Sequence, residues 1–375
     1  MSAISESVSN PDLRRIAEKV ESGTPVDRSD AELMLRTPDI LDLGSIATHL
    51  RWLWNGPTTY YSVNMNLNYT NICILRCPLC AYSCNAGDKE AFVLSLDEIQ
   101  DRIEQAVAKG IDEVHIVGGL NPELSFDYYQ SMIRRIKSVQ PDLFVVAFTA
   151  VEYDFFSRQL DIPLSEVFDR LIHAGVDALP GGGAEIFAPG IREKIAPDKI
   201  SGDRWLEVMR TAHEKGLETN ATLLYNQHES AEDIIDHLFR LRDLQDETQG
   251  FKTFVPLRFH GKNTRIDESG RSSGFNDVRL YATARIALHN FPHVKALWMY
   301  LGERVAQVMQ HFGADDLGAT YHHEKVVHAA GASTADRGSE PFLRRIIENA
   351  GFEPRRTNAG YGRIRNQISA INHET

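Results

Sequence analysis

The chain has 375 residues, 42% of them hydrophobic and 25% charged, with a formal net charge of −12 at pH 7. That composition is ordinary for a globular protein with a large core, and the acidic balance argues against a nucleic-acid partner, which needs basic surface to release counterions. No apolar run approaches the ~18–20 residues that span a bilayer, and Met1 to Ser9 lacks the basic start and apolar stretch of a secretory signal, so a cytoplasmic protein without a membrane partner is expected.

Residues 1–62 read as a helical extension. Pro11 to Val20 is amphipathic, Ser29-Asp-Ala-Glu32 has capping-box spacing, and Ile40 to Trp54 carries an apolar periodicity that stops at Gly56-Pro57. Trp52 and Trp54 are expected to pack in the core. From residue 63 short β-branched runs alternate with capped helices. Strands are expected near 63–70, 111–117, 143–149, 176–179, 218–225, 251–259, 294–300 and 317–321. Helices are opened by Ser95, Phe126, Ser165, Ser201, Ser230, Asn276 and Glu303, and several close at Gly.

Parallel strands joined by helices require right-handed crossovers, and eight such units most naturally close as an α/β, (βα)8 TIM-type barrel over residues 63–325. An open doubly wound sheet is the alternative, but a nucleotide fingerprint would then follow the first strand, where this chain has cysteines. Residues 326–375 form a C-terminal helical tail with one helix, Glu340 to Asn349.

Cys73, Cys77, Cys80 and Cys84 are the only cysteines, and all fall within twelve residues. The first three have C-x-x-x-C-x-x-C spacing, which suits an iron–sulfur cluster with one iron left free of protein. A zinc knot using Cys84 is the alternative, but structural zinc sites usually pair two halves a dozen or more residues apart. Cys73, Cys77 and Cys80 are therefore the expected metal ligands, and Cys84 is left out. His322, His323 and His328 lack a metal-binding helix motif and are expected to be surface histidines. The Gly181 to Gly183 run reads as a tight turn near a ligand, since no P-loop lysine follows.

The cysteine loop, with Tyr82 two places after Cys80, resembles the signature of the radical S-adenosylmethionine (SAM) enzymes. The resemblance extends further. His115-Ile-Val-Gly-Gly-Leu-Asn-Pro122, Phe148-Thr-Ala-Val-Glu152, Leu179-Pro-Gly-Gly-Gly-Ala-Glu185, Arg210-Thr-Ala-His213, Thr219-Asn-Ala-Thr222, Leu244-Gln-Asp-Glu-Thr248 and His311-Phe-Gly-Ala-Asp-Asp316 together look like the aminofutalosine synthase family. Dehypoxanthine futalosine cyclases and the radical subunits of deazaflavin-cofactor synthesis share some of these motifs.

The resemblance implies a 4Fe–4S cluster and S-adenosylmethionine as co-substrate. It implies addition of the 5′-deoxyadenosyl radical to 3-[(1-carboxyvinyl)oxy]benzoate, with rearrangement and decarboxylation, in menaquinone biosynthesis. An electron donor such as flavodoxin or ferredoxin is implied, and a homodimer is left open. Expected co-substrate contacts are Tyr82, Gly118, Gly119, Glu152 and Asn226; expected substrate contacts are Glu185, His228, Arg258 and His260. No residue is singled out for the chemical step itself. Two places depart from the family pattern: Tyr225-Asn226-Gln227-His228 replaces a Tyr-Gly-His-like turn, and Arg258 and Gly261 flank Phe259-His260 where Ala and Pro are expected. Arg258 suits a substrate carboxylate or a structural ion pair equally. The tail around Arg355-Arg356 also departs.

Overall fold

A computed structural model describes residues 3–266, 274–320, 325–332, 334 and 338–362. Its strands are β1 Thr58–Ser62, β2 Asn64–Leu67, β3 Glu113–Ile116, β4 Phe144–Ala147, β5 Ala178–Leu179, β6 Glu218–Tyr225, β7 Phe251–Arg258, β8 His293–Val294, β9 Asp316–Ala319 and β10 Glu353–Arg356. Strands β2 to β8 form one parallel sheet in chain order, with helices in the connections. The order follows from the right-handed βαβ rule.

The sheet curls, and β9 spans its two edges. On one side β9 pairs in parallel with β1, which runs through Val63 into β2. On the other it meets the segment after β8 through a bridge between Lys295 and Asp316 and a 2.7 Å bond from Ala296 N to Asp316 O. The architecture is therefore the expected TIM-type α/β barrel, with its first strand split in two.

Alternation along the strands decides what faces where. In β3, Val114 and Ile116 are fully buried with the helices of the main core. Glu113 and His115 take the opposite, lumen face, beside their register partners Asn64 and Asn66.

The structure differs from the sequence reading at both seams. Residues 58–62, expected within the helical extension, form β1. The fully buried Arg51 fastens the preceding helix to it, donating to Ala314 O, Gly56 O, Thr58 O and Thr59 Oγ1 at 2.7–2.9 Å. The tail contributes β10, which pairs in parallel with β1, after the helix Glu340–Glu348. Beyond it Ala359 and Tyr361 are buried at the N-terminal mouth of the barrel. Ala359 packs on Val146 and Ala178, and Tyr361 stacks on His293 at 3.7 Å between ring centres.

Other elements shift for local reasons. The helix Arg28–Arg36 is boxed by Asp27 and Asp30 rather than Ser29 and Glu32. The strand expected over 294–300 ends at Val294, and a short helix Trp298–Leu301 follows; an apolar run this short fits either element. Trp54 is half-buried and donates to His289 O at 3.2 Å, but Trp52 is 44% exposed, contrary to its expected core position. His322 and His323 lie outside the described residues, and His328 meets Thr334 O at 3.1 Å.

Candidate active site

The loop after β2 is tied down at both ends before any thiol is placed. Thr70 Oγ1 donates to Phe92 O at 2.7 Å, and Asn71 exchanges bonds with Glu90 O and Phe92 N at 2.8 and 2.9 Å. Cys84 closes the inner turn through its backbone, accepting from Cys73 N at 3.1 Å and donating to Asn71 O at 3.0 Å. Its side chain is buried. Cys84 thus secures the loop without lining the cavity that Cys73, Cys77 and Cys80 share.

That cavity, of about 190 Å³, lies between the cysteine loop and the loops after β3, β4 and β5. Gly118, Gly119, Tyr82, Glu152, Gly183 and Lys199 line it with the three thiols. The glycine pair is there for space. A Cβ on Gly118 would stand 2.5 Å from the Tyr69 ring, and one on Gly119 would stand 2.1 Å from Ile72 O. Gly119 N donates to Thr70 O at 3.0 Å and Ile74 N to Leu120 O at 3.1 Å, so the two loops are stitched together.

Glu152 is buried and fully occupied. Oε1 accepts from the Tyr69 hydroxyl at 2.7 Å and Gly118 N at 3.1 Å; Oε2 accepts from Thr149 N at 2.7 Å and Thr149 Oγ1 at 2.8 Å. It caps the helix Ala150–Leu160 as the third residue of a Thr149/Glu152 capping box. Its carboxylate fixes the loop that carries Gly118 and spends its acceptors on the protein. A ribose contact from this side chain would have to displace one of those bonds.

Glu185 has φ +48° and is buried, with its Oε1 2.6 Å from Lys199 Nζ. Burial opposes the Lys199 charge, but Glu185 and the Cys77 sulfur outweigh it and raise the lysine's pKa. Burial likewise pushes the Cys77 thiol up to about 11, with Lys199 acting against it. Arg192 holds the loop after β5, donating to Gly183 O at 3.3 Å and Ile186 O at 3.2 Å. No local pattern in the sequence marks Lys199 or Arg192; both come from the segment around the helix Pro189–Ile195, which the alternating strand–helix pattern passes over.

The other expected contacts are placed elsewhere. Asn226 adopts φ +71°, as the turn requires, and its N–H donates to Glu229. His228 is exposed. Arg258 shares the outer face of the sheet with its register partner Tyr225 and stands 3.6 Å from Asp277, which also accepts from the Tyr225 hydroxyl at 2.9 Å. That approach matches the ion-pair alternative for Arg258. His260 Nε2 lies 2.9 Å from Tyr300 O. None of Asn226, Glu185, His228, Arg258 and His260 lines the cysteine cavity, and Glu185 reaches it only through Lys199.

The donor set fits an iron–sulfur cluster. Three soft thiols face one cavity, and iron would reverse the protonation that burial imposes on Cys77. Among the described residues no three His, Cys, Asp or Glu side chains converge as a single metal ion requires. A zinc ion needs every sulfur at ~2.3 Å from one point, whereas thiolates on a cluster each take a different iron.

Known proteins support the same reading. Residues 67–241 match the Radical SAM superfamily and residues 248–370 the CofH/MqnC C-terminal region. The chain is 39% identical over 362 residues to the aminodeoxyfutalosine synthase of Thermus thermophilus, covering 96% of this chain and 97% of that one. It is 34% identical over 363 residues to the synthase of Streptomyces coelicolor, covering 94% of each. It is also 36% identical over 344 residues to the 5-amino-6-(D-ribitylamino)uracil–L-tyrosine 4-hydroxyphenyl transferase of Methanopyrus kandleri, covering 90% of this chain and 92% of that one.

Among solved structures, methylornithine synthase (PylB) superposes with TM-score 0.71 at 15% identity, covering 95% and 99% of the two chains. The FeFe-hydrogenase maturase HydG from Carboxydothermus hydrogenoformans gives 0.74 at 16%, covering 96% and 83%. At those identities the likeness shows the fold alone. No helix among the described residues is long and apolar enough to cross a membrane. The thiol loop and the near-full-length likeness together place the chain in the radical SAM superfamily, in the family of these synthases and transferases, as an enzyme working with a 4Fe–4S cluster and S-adenosylmethionine.

Proposed function

We propose that this chain is an aminodeoxyfutalosine synthase acting on 3-[(1-carboxyvinyl)oxy]benzoate in menaquinone synthesis. The carrying observation is likeness over almost the whole chain to a synthase of that name, with the thiols and the glycine pair lining one cavity. The runs Phe148-Thr-Ala-Val-Glu152 and Leu244-Gln-Asp-Glu-Thr248 favour the synthase within the family.

When bound, the cluster supplies the electron that cleaves S-adenosylmethionine, and the resulting adenosyl group is added to the enol ether. The chain's own residues hold the reactants. Cys73, Cys77 and Cys80 anchor the cluster. Gly118 and Gly119 admit the methionine end of the co-substrate against backbone, and Glu152 keeps that backbone in place. Tyr82 closes one wall. Lys199 sets a positive charge beside the thiolates. Flavodoxin or ferredoxin is the proposed class of electron donor, and self-association into a dimer is a further part of this reading.

The likeness to the tyrosine-dependent transferase supports a second reading. Anaerobic turnover with reductant and S-adenosylmethionine separates the two. Mass spectrometry should find a nucleoside–benzoate adduct with the enol-ether benzoate, and none with tyrosine plus 5-amino-6-(D-ribitylamino)uracil. The reverse pattern assigns the chain to the transferases. Release of 5′-deoxyadenosine alone sinks both.

A further inference from the structure

Beneath the cysteine cavity the lumen carries a pair of residues that the reading above does not use. Glu113 and His115 lie two apart on β3, both facing inward, with His115 Nε2 3.1 Å from Glu113 Oε1. Glu113 is 1% exposed and also accepts from Ser62 Oγ at 2.8 Å. An ionised carboxylate can only accept, so Nε2 must be the donor and carry a proton. That leaves Nδ1, which has no protein partner among the described residues.

The His115 side chain is 24% exposed although Val114 and Ile116 are fully buried. It therefore opens onto the lumen, beside Asn66 in register. It also stands three residues before Gly118, roughly 10 Å down the strand direction from the cavity floor.

Of the neighbouring cations, the buried Lys252 has no hydrogen-bond partner among the described residues and sits over the Phe144 ring, level with Glu113 and below His115, while the others are already engaged. Lys199 pairs with Glu185, Lys295 with Asp316 at 3.2 Å, and Arg258 faces Asp277 on the outer side of the sheet. His115 differs from them in having an acid behind it and a ring nitrogen in front.

We propose that His115, held by Glu113, positions the ring carboxylate of the aromatic substrate in the lumen below the thiol cavity. This rests on the synthase reading, whose substrate bears one carboxylate on the reacting enol ether and a second on the ring. The reacting carbon must lie near the thiol cavity, so the ring carboxylate is the group that reaches downward. The contact requires a proton on Nδ1 as well as on Nε2, so the bound ring is an imidazolium bridging Glu113 and the substrate. No covalent bond is made or broken there. His115 is a positioning residue.

The test is a cycle between the residue and the carboxylate. Wild type and His115→Gln are compared, each loaded with cluster, on the full substrate and on an analogue with hydrogen in place of the ring carboxylate. For the full substrate, His115→Gln should raise KM about tenfold or more, the range of a charge-assisted hydrogen bond. Its kcat and its substrate-free cleavage of S-adenosylmethionine should change less than about twofold. For the analogue, KM should be high in wild type and nearly unaffected by the substitution.

An equal rise with both compounds, or no rise with the full substrate, overturns the assignment. If His115→Gln fails to hold iron, Glu113→Gln takes its place with the same expected selectivity and the same overturning results. Absence of any adduct from wild type defeats the synthase reading itself, and the assignment with it, a result distinct from normal turnover with an unaltered KM.

Discussion

The Tyr69 ring occupies the space that a side chain on Gly118 would need, with its Cζ 2.5 Å from the position a Cβ would take. The same tyrosine is fully buried and donates its hydroxyl to Glu152, which in turn accepts from Gly118 N. Core, cap and cavity wall are thus one unit. Gly118→Ala should cost about 1–3 kcal/mol of stability, as overpacked cores do, and weaken S-adenosylmethionine binding. Gly119→Ala should be worse, because its Cβ would meet the Ile72 carbonyl, which is backbone. Denaturant midpoints and equilibrium binding of the co-substrate check both.

Glu152→Gln preserves shape but replaces one of two fully engaged oxygens with a donor, facing either Thr149 or the Tyr69 and Gly118 pair. The expected loss is about 1–3 kcal/mol, and co-substrate affinity should fall with stability. A variant with native stability and weakened affinity alone would show direct ligand contact instead. Thermal unfolding beside a binding titration decides it.

This residue shows what the sequence made legible. The Ser95/Glu98 box, the Ser230 cap and β6 over 218–225 follow directly from caps and alternation. Thr149-Ala-Val-Glu152 carries the same capping spacing, but the apolar run before it reads as a strand through Thr149, with Glu152 facing a ligand. In the structure Glu152 both caps the helix Ala150–Leu160 and lines the cavity, so one residue carries two signals. Lys199, Arg192 and the Glu113–His115 pair gain their meaning only when loops far apart in sequence meet. No periodicity encodes that.

The cysteines should divide cleanly under substitution. Cys73→Ala, Cys77→Ala or Cys80→Ala should abolish cluster and activity together, since each removes a thiol from the shared cavity. Cys84→Ala should keep iron, sulfide and turnover, because Cys84 secures the loop through its backbone. Its cost should be at most about 1–2 kcal/mol for a small buried side chain. Iron and sulfide analysis after anaerobic reconstitution reads the outcome.

Acid should destabilise the fold in two steps, the first shared by His213 and His237, whose pKa values burial lowers to about 4 and about 3. His213 is held between Thr248 Oγ1 at 2.6 Å and Thr219 Oγ1 at 2.8 Å. Burial, assisted by Arg210, lowers its pKa from 6.5 to about 4. Between those values the unfolded chain binds a proton that the folded one does not, so stability present above pH 6.5 is lost as pH falls toward 4, by about 3 kcal/mol.

Glu113 gives the second step. Burial alone would raise its pKa, but His115, Lys295 and the Ser62 hydroxyl bring it from 4.5 down to about 2. Its contribution is present above pH 4.5 and lost as pH falls toward 2. Urea midpoints across pH 7 to 3 should show the upper step made shallower in His213→Gln, with the His237 share remaining.

Strands β1 and β10 are roughly 300 positions apart, a very long-range pairing that is slow to form. The last described turn, with Tyr361 seated on His293 and Asp316, stoppers the end of the barrel away from the thiols. During synthesis, then, the cysteine loop leaves the ribosome long before its chamber has a floor. A nascent chain would carry thiols into an open-bottomed vessel, and cluster insertion is better timed after release than during translation.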